Sequence, residues 1–288
     1  MVAAGCAARD IAAAFEQPTQ CIDNAIRRHG KVPVGTLNEN FDIPVFKGDL
    51  KLPMDDYILA ADYHSPYFSV LWHGRSLAIA EHYNIKKLII IGDLLDLGFA
   101  AYFYSDDKPK IEDEEGENKR LIRSVLDQFE QIYLVKGNHE NRLGRNTDGI
   151  IKTQNLLLEW VGSEYGKRFQ FSLYDKLTIG DTWLCVHPKS YSQKAGGASR
   201  LLCSKYLKNI INTHGHHFGV NVDPSGRFLA IDIGGMFDVD KISYLNFKTT
   251  THPSWNSGFC ALINGHIHVF NEWTDWDFYL GDGTYDKN

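Results

Sequence analysis

The sequence predicts an α/β fold in which short buried strands alternate with helices and a second sheet covers or extends the first. Four apolar runs, rich in β-branched and aromatic residues, have the length of buried strands. Segments with helical spacing separate the first three runs, and such alternation indicates an α/β core. From about residue 219 the strands are closely spaced and joined by tight turns, which is typical of antiparallel pairing.

The elements follow in a regular order along the chain. The predicted strands are YILAA (57–61), KLIII (87–91), IYLV (132–135), TWLCV (182–186), RFLAIDIGG (227–235), FCALI (259–263) and HIHVF (266–270). The helices between the first three strands are predicted at 71–85 and 118–130. The run DDKPKIEDEEGE (106–117) carries seven acidic residues and two lysines and has almost nothing to bury, so a solvated loop or lid is predicted there.

The first 48 residues are predicted to form a helical segment and linker, separate from a main domain at 49–288. Two short helices flank EQPT, a pattern that resembles a helix-turn-helix. The second carries side-chain types that contact DNA, among them Arg27 and Arg28. Residues 1–48 nevertheless contain five basic and five acidic residues, whereas DNA-binding modules are usually basic. Contact of residues 5–30 with DNA and contact with a protein therefore both remain open.

Composition excludes several classes of protein. The net charge of -6 provides no global attraction to nucleic acid or anionic lipid, so phosphate binding has to be local. No apolar stretch reaches 18 residues, so we expect no membrane span and no membrane partner. The five cysteines are an odd number, widely spaced and without a CxxC pair, which favours a reducing cytoplasmic location.

Side chains that can bind a metal follow directly after each apolar run. They are Asp62 and His64, Asp93 and Asp96, Asn138 and His139, His187, and His214 and His216. In open α/β sheets ligands gather at the carboxyl ends of strands, so these side chains are expected to converge. Imidazole and carboxylate ligands suit manganese, iron, zinc or nickel. The number of candidates indicates two ions with a shared carboxylate, an arrangement used for hydrolysis of phosphate esters.

Five short motifs carry a family resemblance. They are DYH (62–64), GDLLD (92–96), GNHE (137–140), VHP (186–188) and THGHH (213–217). Their order and spacing over roughly residues 55–235 resemble the signatures of the calcineurin-like metallophosphoesterases. The resemblance implies a four-layer α-β-β-α sandwich of two mixed sheets. The helix-turn-helix-like start of the chain is similar to that of phosphoesterases found in bacteriophages and prophages.

The resemblance implies a role for each candidate residue. The implied metal ligands are Asp62, His64 and His216 for one ion, Asn138, His187 and His214 for the other, and Asp93 between them. His139 would protonate or stabilise the leaving oxygen, Asp96 would orient a ligating histidine, and Arg142 would hold phosphate. Two divalent ions are expected, manganese first and iron, zinc, nickel or cobalt as alternatives, because such ligands bind several metals.

The last motif departs from the family pattern. Thr213 stands where the family has glycine, and a closer literal match, GHIH, occurs at 265–268. We expect His214 and His216 to be the ligands all the same. The Asn-Gly pair at 264–265 predicts a two-residue hairpin turn, so His266 and His268 in the following run can face solvent.

Leu97 narrows the expected substrate. In the superfamily that this chain resembles, protein Ser/Thr phosphatases carry arginine at the position of Leu97, where it binds a doubly charged monoester. A diester has less charge to neutralise, so the sequence favours hydrolysis of phosphodiester bonds in DNA, RNA or a nucleotide. Two alternatives remain: a phosphomonoesterase on the same scaffold, and a DNA- or protein-binding factor whose metal domain is regulatory.

Overall fold

The computed structural model describes residues 50–101, 109–162, 165–172, 174–242 and 254–281. The predicted helical segment at 1–48, including the possible contact region at 5–30, lies outside these residues. Its structure and the domain boundary after residue 48 therefore stay predictions. None of the described helices combines the length and apolar character needed to cross a bilayer.

Two six-stranded mixed sheets contain all the strands that the described residues form. The first part of the chain contributes β1 (Leu50–Leu52), β2 (Tyr57–Ala60), β3 (Lys87–Ile91), β4 (Gln131–Val135), β5 (Phe169–Phe171) and β6 (Lys176–Ile179). The second part contributes β7 (Trp183–Val186), β8 (Asn209–Asn212), β9 (Phe218–Val222), β10 (Leu229–Ile233), β11 (Phe259–Ile263) and β12 (His266–Phe270). The strand order is β12-β11-β2-β3-β4-β5 in the first sheet and β1-β6-β7-β8-β10-β9 in the second.

Helices connect the strands. They are α1 (Val70–His82), α2 (Ile111–Gln128), α3 (Glu140–Asn146), α4 (Thr153–Val161), α5 (Gly197–Tyr206) and α6 (Trp276–Leu280). Strands β2 to β5 run parallel, as their helical connections require. The predicted antiparallel hairpin of β11 and β12 is confirmed. The prediction for β10 is only half right, because β10 pairs antiparallel with β9 but parallel with β8.

Alternate residues of the central strands face two different cores. In β2, Tyr57 and Leu59 pack against the second sheet, while Ile58 and Ala60 pack against helices. On the far side of the second sheet, the buried Cys203 of α5 joins a third apolar cluster. The predicted four-layer α-β-β-α order is thereby confirmed. Strands buried on both faces read as unbroken apolar runs, which is why the sequence shows no alternation in them.

The acidic run is not a solvated loop over its described part, because residues 111–117 form the first turns of α2. Acidic side chains are stabilised there by the positive end of the helix dipole. The carboxylate of Asp113 accepts the N–H of Lys110 at 2.8 Å and so caps the helix. Glu114 is fully buried, and its Oε1 accepts the N–H of Gly98 at 2.7 Å. The prediction failed because the composition of an acidic run does not show that one of its side chains, Glu114, is buried.

We predict that Glu114→Gln makes stability less sensitive to pH. Burial, together with the nearby charge of Asp96, raises the pKa of Glu114 to about 7. The folded protein therefore holds this proton more tightly than the unfolded chain, and it loses stability as pH rises from about 4.5 to about 7. Glutamine has no proton to lose.

Urea unfolding at pH 5 and pH 8 measures the effect. Relative to the wild type, the glutamine variant should gain roughly 1 to 3 kcal/mol between the two pH values. An identical difference in free energy at both pH values would show that Glu114 does not titrate in this range.

Candidate metal centre

The loops that follow five strands meet at one edge of the sandwich. Strands β2, β3 and β4 of the first sheet and β7 and β8 of the second all end there. The structure brings together three groups whose ligand atoms lie within 4.8 Å of one another: Asp62, His64 and His216; His64, Asp93 and His139; and Asp93, His187 and His214. Residues more than 150 positions apart in sequence are thus neighbours, as the strand-end pattern predicts.

The first group presents three electron-pair donors to one point. The Nε2 atoms of His64 and His216 are 3.1 Å apart, and Asp62 Oδ1 lies 3.5 Å from the latter. His64 Nδ1 is 3.2 Å from Asp96 Oδ1. Because a carboxylate can only accept, this Nδ1 carries the hydrogen and the Nε2 of His64 is left with a lone pair.

The third group is organised around His187. Its Nδ1 lies 3.1 Å from the carbonyl oxygen of Ile91, which fixes the hydrogen on that nitrogen. Its Nε2 faces Asn138 Oδ1 at 3.0 Å and Asp93 Oδ2 at 3.3 Å. Thr213 Oγ1 lies 2.9 Å from Nδ1 and donates to the same carbonyl of Ile91. Thr213, where the resembling family has glycine, therefore contacts the ring of His187.

The two aspartates at the centre use their oxygens differently. Asp62 Oδ2 accepts the N–H of His214 at 3.1 Å, and Asp93 Oδ1 accepts the N–H of His139 at 2.8 Å. The remaining oxygens, Asp62 Oδ1 and Asp93 Oδ2, are buried and have no hydrogen-bond partner. A buried carboxylate without a partner is destabilising by several kcal/mol, and divalent cations relieve this. The residues present therefore fit cations bound between the two carboxylates and the surrounding imidazoles.

The charges in the cluster keep these carboxylates ionised. Burial by itself would raise the pKa of Asp62 and Asp93, but the neighbouring imidazoles lower both values below that of a free aspartate. Burial would likewise lower the pKa of His187, yet the charges of the nearby Asp93 and Asp62 raise this pKa to about 10. For His214, burial and the charge of His187 lower the pKa to about 4. The two carboxylates are therefore ionised in the folded protein and can bind cations.

The backbone of the cluster is strained. Five of the seven predicted metal ligands adopt the left-handed conformation: Asp62 (φ 51°), His64 (φ 46°), Asp93 (φ 49°), His214 (φ 74°) and His216 (φ 56°). Each such residue is destabilising by roughly 1 to 3 kcal/mol and persists only where the surroundings enforce it. Strain of this kind concentrates at functional sites, and sequence patterns gave no sign of it.

Two glycines allow the loops to approach each other. A Cβ on Gly92 would lie 2.3 Å from His187 Nδ1, and one on Gly137 would lie 2.2 Å from Asp93 Oδ1. No side chain fits at either position without displacing a candidate ligand. The glycines in GDLLD and GNHE are therefore required by close packing around the centre.

Glu140 has a role that the sequence did not reveal. Its buried carboxylate accepts the N–H of Asp93 at 2.9 Å, of Gly137 at 2.8 Å and of Leu95 at 3.3 Å. It thereby ties the loop after β3 to the loop after β4. Burial and the charge of Asp93 raise the pKa of Glu140 to about 7. Its place at the end of GNHE was visible, but its bonds to Asp93 and Leu95 are to backbone groups distant in sequence.

Asp96, His139 and Arg142 form a connected group beside the candidate ligands. Asp96 Oδ1 lies 3.1 Å from His139 Nδ1 as well as 3.2 Å from His64 Nδ1. Arg142 Nη1 donates to the backbone oxygen of Asp96 at 2.7 Å, and Nη2 lies 2.9 Å from His139 Nε2. Asp96 can orient two imidazoles at once, and the guanidinium is anchored at the rim with 20% of the side chain exposed.

The alternative histidine pair lies elsewhere. Asn264 (φ 50°) and Gly265 (φ 79°) both have positive φ, as a two-residue type I′ hairpin turn requires. His266 is exposed and His268 partly exposed on β12, an edge strand of the first sheet. Neither belongs to any of the metal-capable groups in the described part of the chain. The predicted hairpin is confirmed, and the structure favours His214 and His216.

Comparison with known proteins gives distant similarities only. No protein-family model and no curated protein sequence matches this chain. The solved structure of YfcE, a phosphoesterase from E. coli, is 11% identical over 75% of this chain and 93% of its own, with a TM-score of 0.38. A protein serine/threonine phosphatase from Saccharomyces cerevisiae is 11% identical over 79% and 85% (TM-score 0.38). The nuclease MPE from Pseudomonas putida is 13% identical over 74% and 87% (TM-score 0.33). Sequence identities and TM-scores this low do not indicate what this chain does.

Proposed function

We propose that this chain is a metal-dependent phosphoesterase that holds two divalent ions and hydrolyses phosphodiester bonds. One observation carries the proposal: Asp62 Oδ1 and Asp93 Oδ2 are buried, unpartnered and surrounded by imidazoles. Asp93 belongs to two of the three metal-capable groups, which supports a bridging position. Two ions that share a carboxylate are a common arrangement for hydrolysis of phosphate esters.

The proposed ligands divide between the two ions. One ion would be held by Asp62, His64 and His216, the other by Asn138, His187 and His214, with Asp93 between them. Manganese is the first expectation, and iron, zinc, nickel and cobalt suit the same atoms. When bound, the ions would polarise the phosphoryl group and lower the pKa of a water molecule.

The chain's own groups would position the reacting atoms. Asp96 accepts from Nδ1 of His64 and so directs the opposite nitrogen into the centre. His139 Nε2 lies 3.9 Å from Asp93 Oδ2 and accepts a hydrogen bond from Arg142 Nη2 at 2.9 Å. Once Arg142 turns from this nitrogen toward the substrate, a protonated His139 can give its proton to the leaving oxygen. Arg142 offers a planar pair of donors to a phosphoryl oxygen.

The surroundings favour a diester over a monoester. Leu97 is fully buried in the apolar core, so the position after Asp96 offers no cation to the substrate. A doubly charged monoester would therefore find at this position no cation to add to the ions and Arg142. The substrate class we propose is DNA, RNA or a nucleotide.

Two other functions fit parts of the molecule. A phosphomonoesterase would use the same centre, and substrate preference distinguishes it from a diesterase. A DNA- or protein-binding factor with a regulatory metal domain would rely on residues 5–30, which lie outside the described structure. The strained backbone at five candidate ligands supports an enzyme. Such strain destabilises the fold, and it concentrates at functional sites, where it is part of the mechanism.

We predict that the protein, freed of metal with chelator and reconstituted with Mn²⁺, hydrolyses bis-p-nitrophenyl phosphate with a kcat/KM at least about tenfold above that for p-nitrophenyl phosphate. A tenfold ratio corresponds to about 1.4 kcal/mol of transition-state stabilisation, which is a reasonable effect of having Leu97 rather than arginine at this position. Release of nitrophenol is the readout, and Fe²⁺, Zn²⁺, Ni²⁺ and Co²⁺ are tested in parallel. A clear preference for the monoester would contradict the diester assignment.

We predict that His214→Ala weakens Mn²⁺ binding more than about 100-fold, because even the loss of an outer-shell partner weakens binding 10- to 100-fold. His266→Ala is the matched control: it removes an exposed imidazole from the other Gly-His-x-His-like run and should change affinity less than twofold. Calorimetric titration measures both, and urea midpoints show whether each variant is folded. The opposite ranking of the two variants would overturn the ligand assignment.

A further inference from the structure

A second cavity adjoins the proposed centre. It has a volume of about 290 Å³ and is formed by α3, the start of α4, the end of β4 and the strand β5. The side chains that matter for its chemistry are Lys136, Asn141, Arg145, Lys152, Gln154 and Phe171. None of them belongs to the proposed metal centre.

The cavity is positively charged. Lys136, Arg145 and Lys152 are exposed on its walls, and in the described structure none has a carboxylate within 4.0 Å. Some other cations of the described structure do have a carboxylate partner, as Lys87 has in Asp55. Three unpaired cations around one cavity form a local anion-attracting site in a chain whose net charge is -6.

Two further features of the cavity, a helix end and an aromatic ring, make it suitable for a nucleotide. Helix α4 begins at Thr153, and Lys152 at its N-cap provides no side-chain cap, so the positive end of the helix adds to the potential of the three cations. Phe171, which is partly exposed, supplies an aromatic face to the wall. Cations beside an aromatic surface are the usual components of sites for single-stranded nucleic acid, where phosphates meet cations and bases stack on rings.

The cavity and the metal centre share a wall. Glu140 and Asn141 line the cavity, and both bond to Gly137 at the centre, through its N–H at 2.8 Å and its carbonyl at 2.9 Å respectively. Lys136 is two residues before Asn138, and consecutive Cα atoms are 3.8 Å apart, so their Cα atoms lie within about 7.6 Å. Lys136 therefore places a positive charge close to the point where the cavity meets the candidate ligands.

We propose that this cavity binds a second phosphate group of single-stranded nucleic acid while the phosphate to be cleaved lies at the metal centre. The proposal rests on the proposed function and makes it narrower: the substrate is a polymer of phosphodiesters rather than a small diester. Arg145 and Lys152 hold the neighbouring phosphate, and Phe171 packs against a base. Lys136 contributes charge where the two sites meet.

The test compares two double variants of the full chain that remove the same charges. R145Q/K152Q alters the cavity, while K51Q/R123Q removes one exposed lysine and one exposed arginine elsewhere. Fluorescence anisotropy with a labelled single-stranded 12-nucleotide DNA, in chelator so that no hydrolysis occurs, measures affinity at several salt concentrations. Loss of both cations that hold this one phosphate should weaken binding about 10- to 30-fold at 0.1 M salt and reduce the salt dependence by about 0.7 in log-log slope.

The outcomes separate this proposal from the proposed function. Support consists of the expected loss in R145Q/K152Q alone, with the ratio of kcat/KM for the oligonucleotide to kcat/KM for bis-p-nitrophenyl phosphate falling in parallel. Equal affinity of R145Q/K152Q and wild type, or an equal loss in K51Q/R123Q, would overturn the cavity assignment. Absence of diester hydrolysis by the wild type with every metal would refute the function but leave the binding comparison valid.

Discussion

Two buried carboxylates constrain the loops at the edge of the sandwich where the candidate metal ligands lie. Asp62 and Asp93 each give one oxygen to a backbone N–H and leave the other without a partner. An arrangement of this kind is destabilising unless a cation is bound nearby. The left-handed backbone at both aspartates and the close approach at Gly137 follow from the need to point these oxygens inward.

Much of the fold was predictable because its strands are buried on both faces and therefore stand out as apolar runs. The convergence of the site was also predictable, since parallel strands deliver the residues that follow them to one edge. The acidic run was interpreted wrongly because a composition signal averages over residues, whereas Glu114 differs from the other described acids of the run by being buried. The parallel pairing of β10 with β8 depends on tertiary neighbours that no local pattern encodes.

The finer features of the site were invisible for a related reason. Left-handed backbone at aspartate and histidine has no sequence signature, unlike glycine at the same φ. Glu140 acts through backbone N–H groups of Asp93 and Leu95, more than forty positions away. The cationic cavity likewise depends on which charges lack partners, a property of the folded surface. Net charge averages over that surface and conceals it.

In the proposed centre, Asp93 would lie between two ions. Diffraction from crystals soaked in Mn²⁺, recorded near the manganese absorption edge, tests it most directly. Two anomalous peaks about 3.5 to 4 Å apart are expected on either side of Asp93 Oδ2, one toward His64 and the other toward His187. A single peak, or peaks located away from Asp93, would contradict the dinuclear centre.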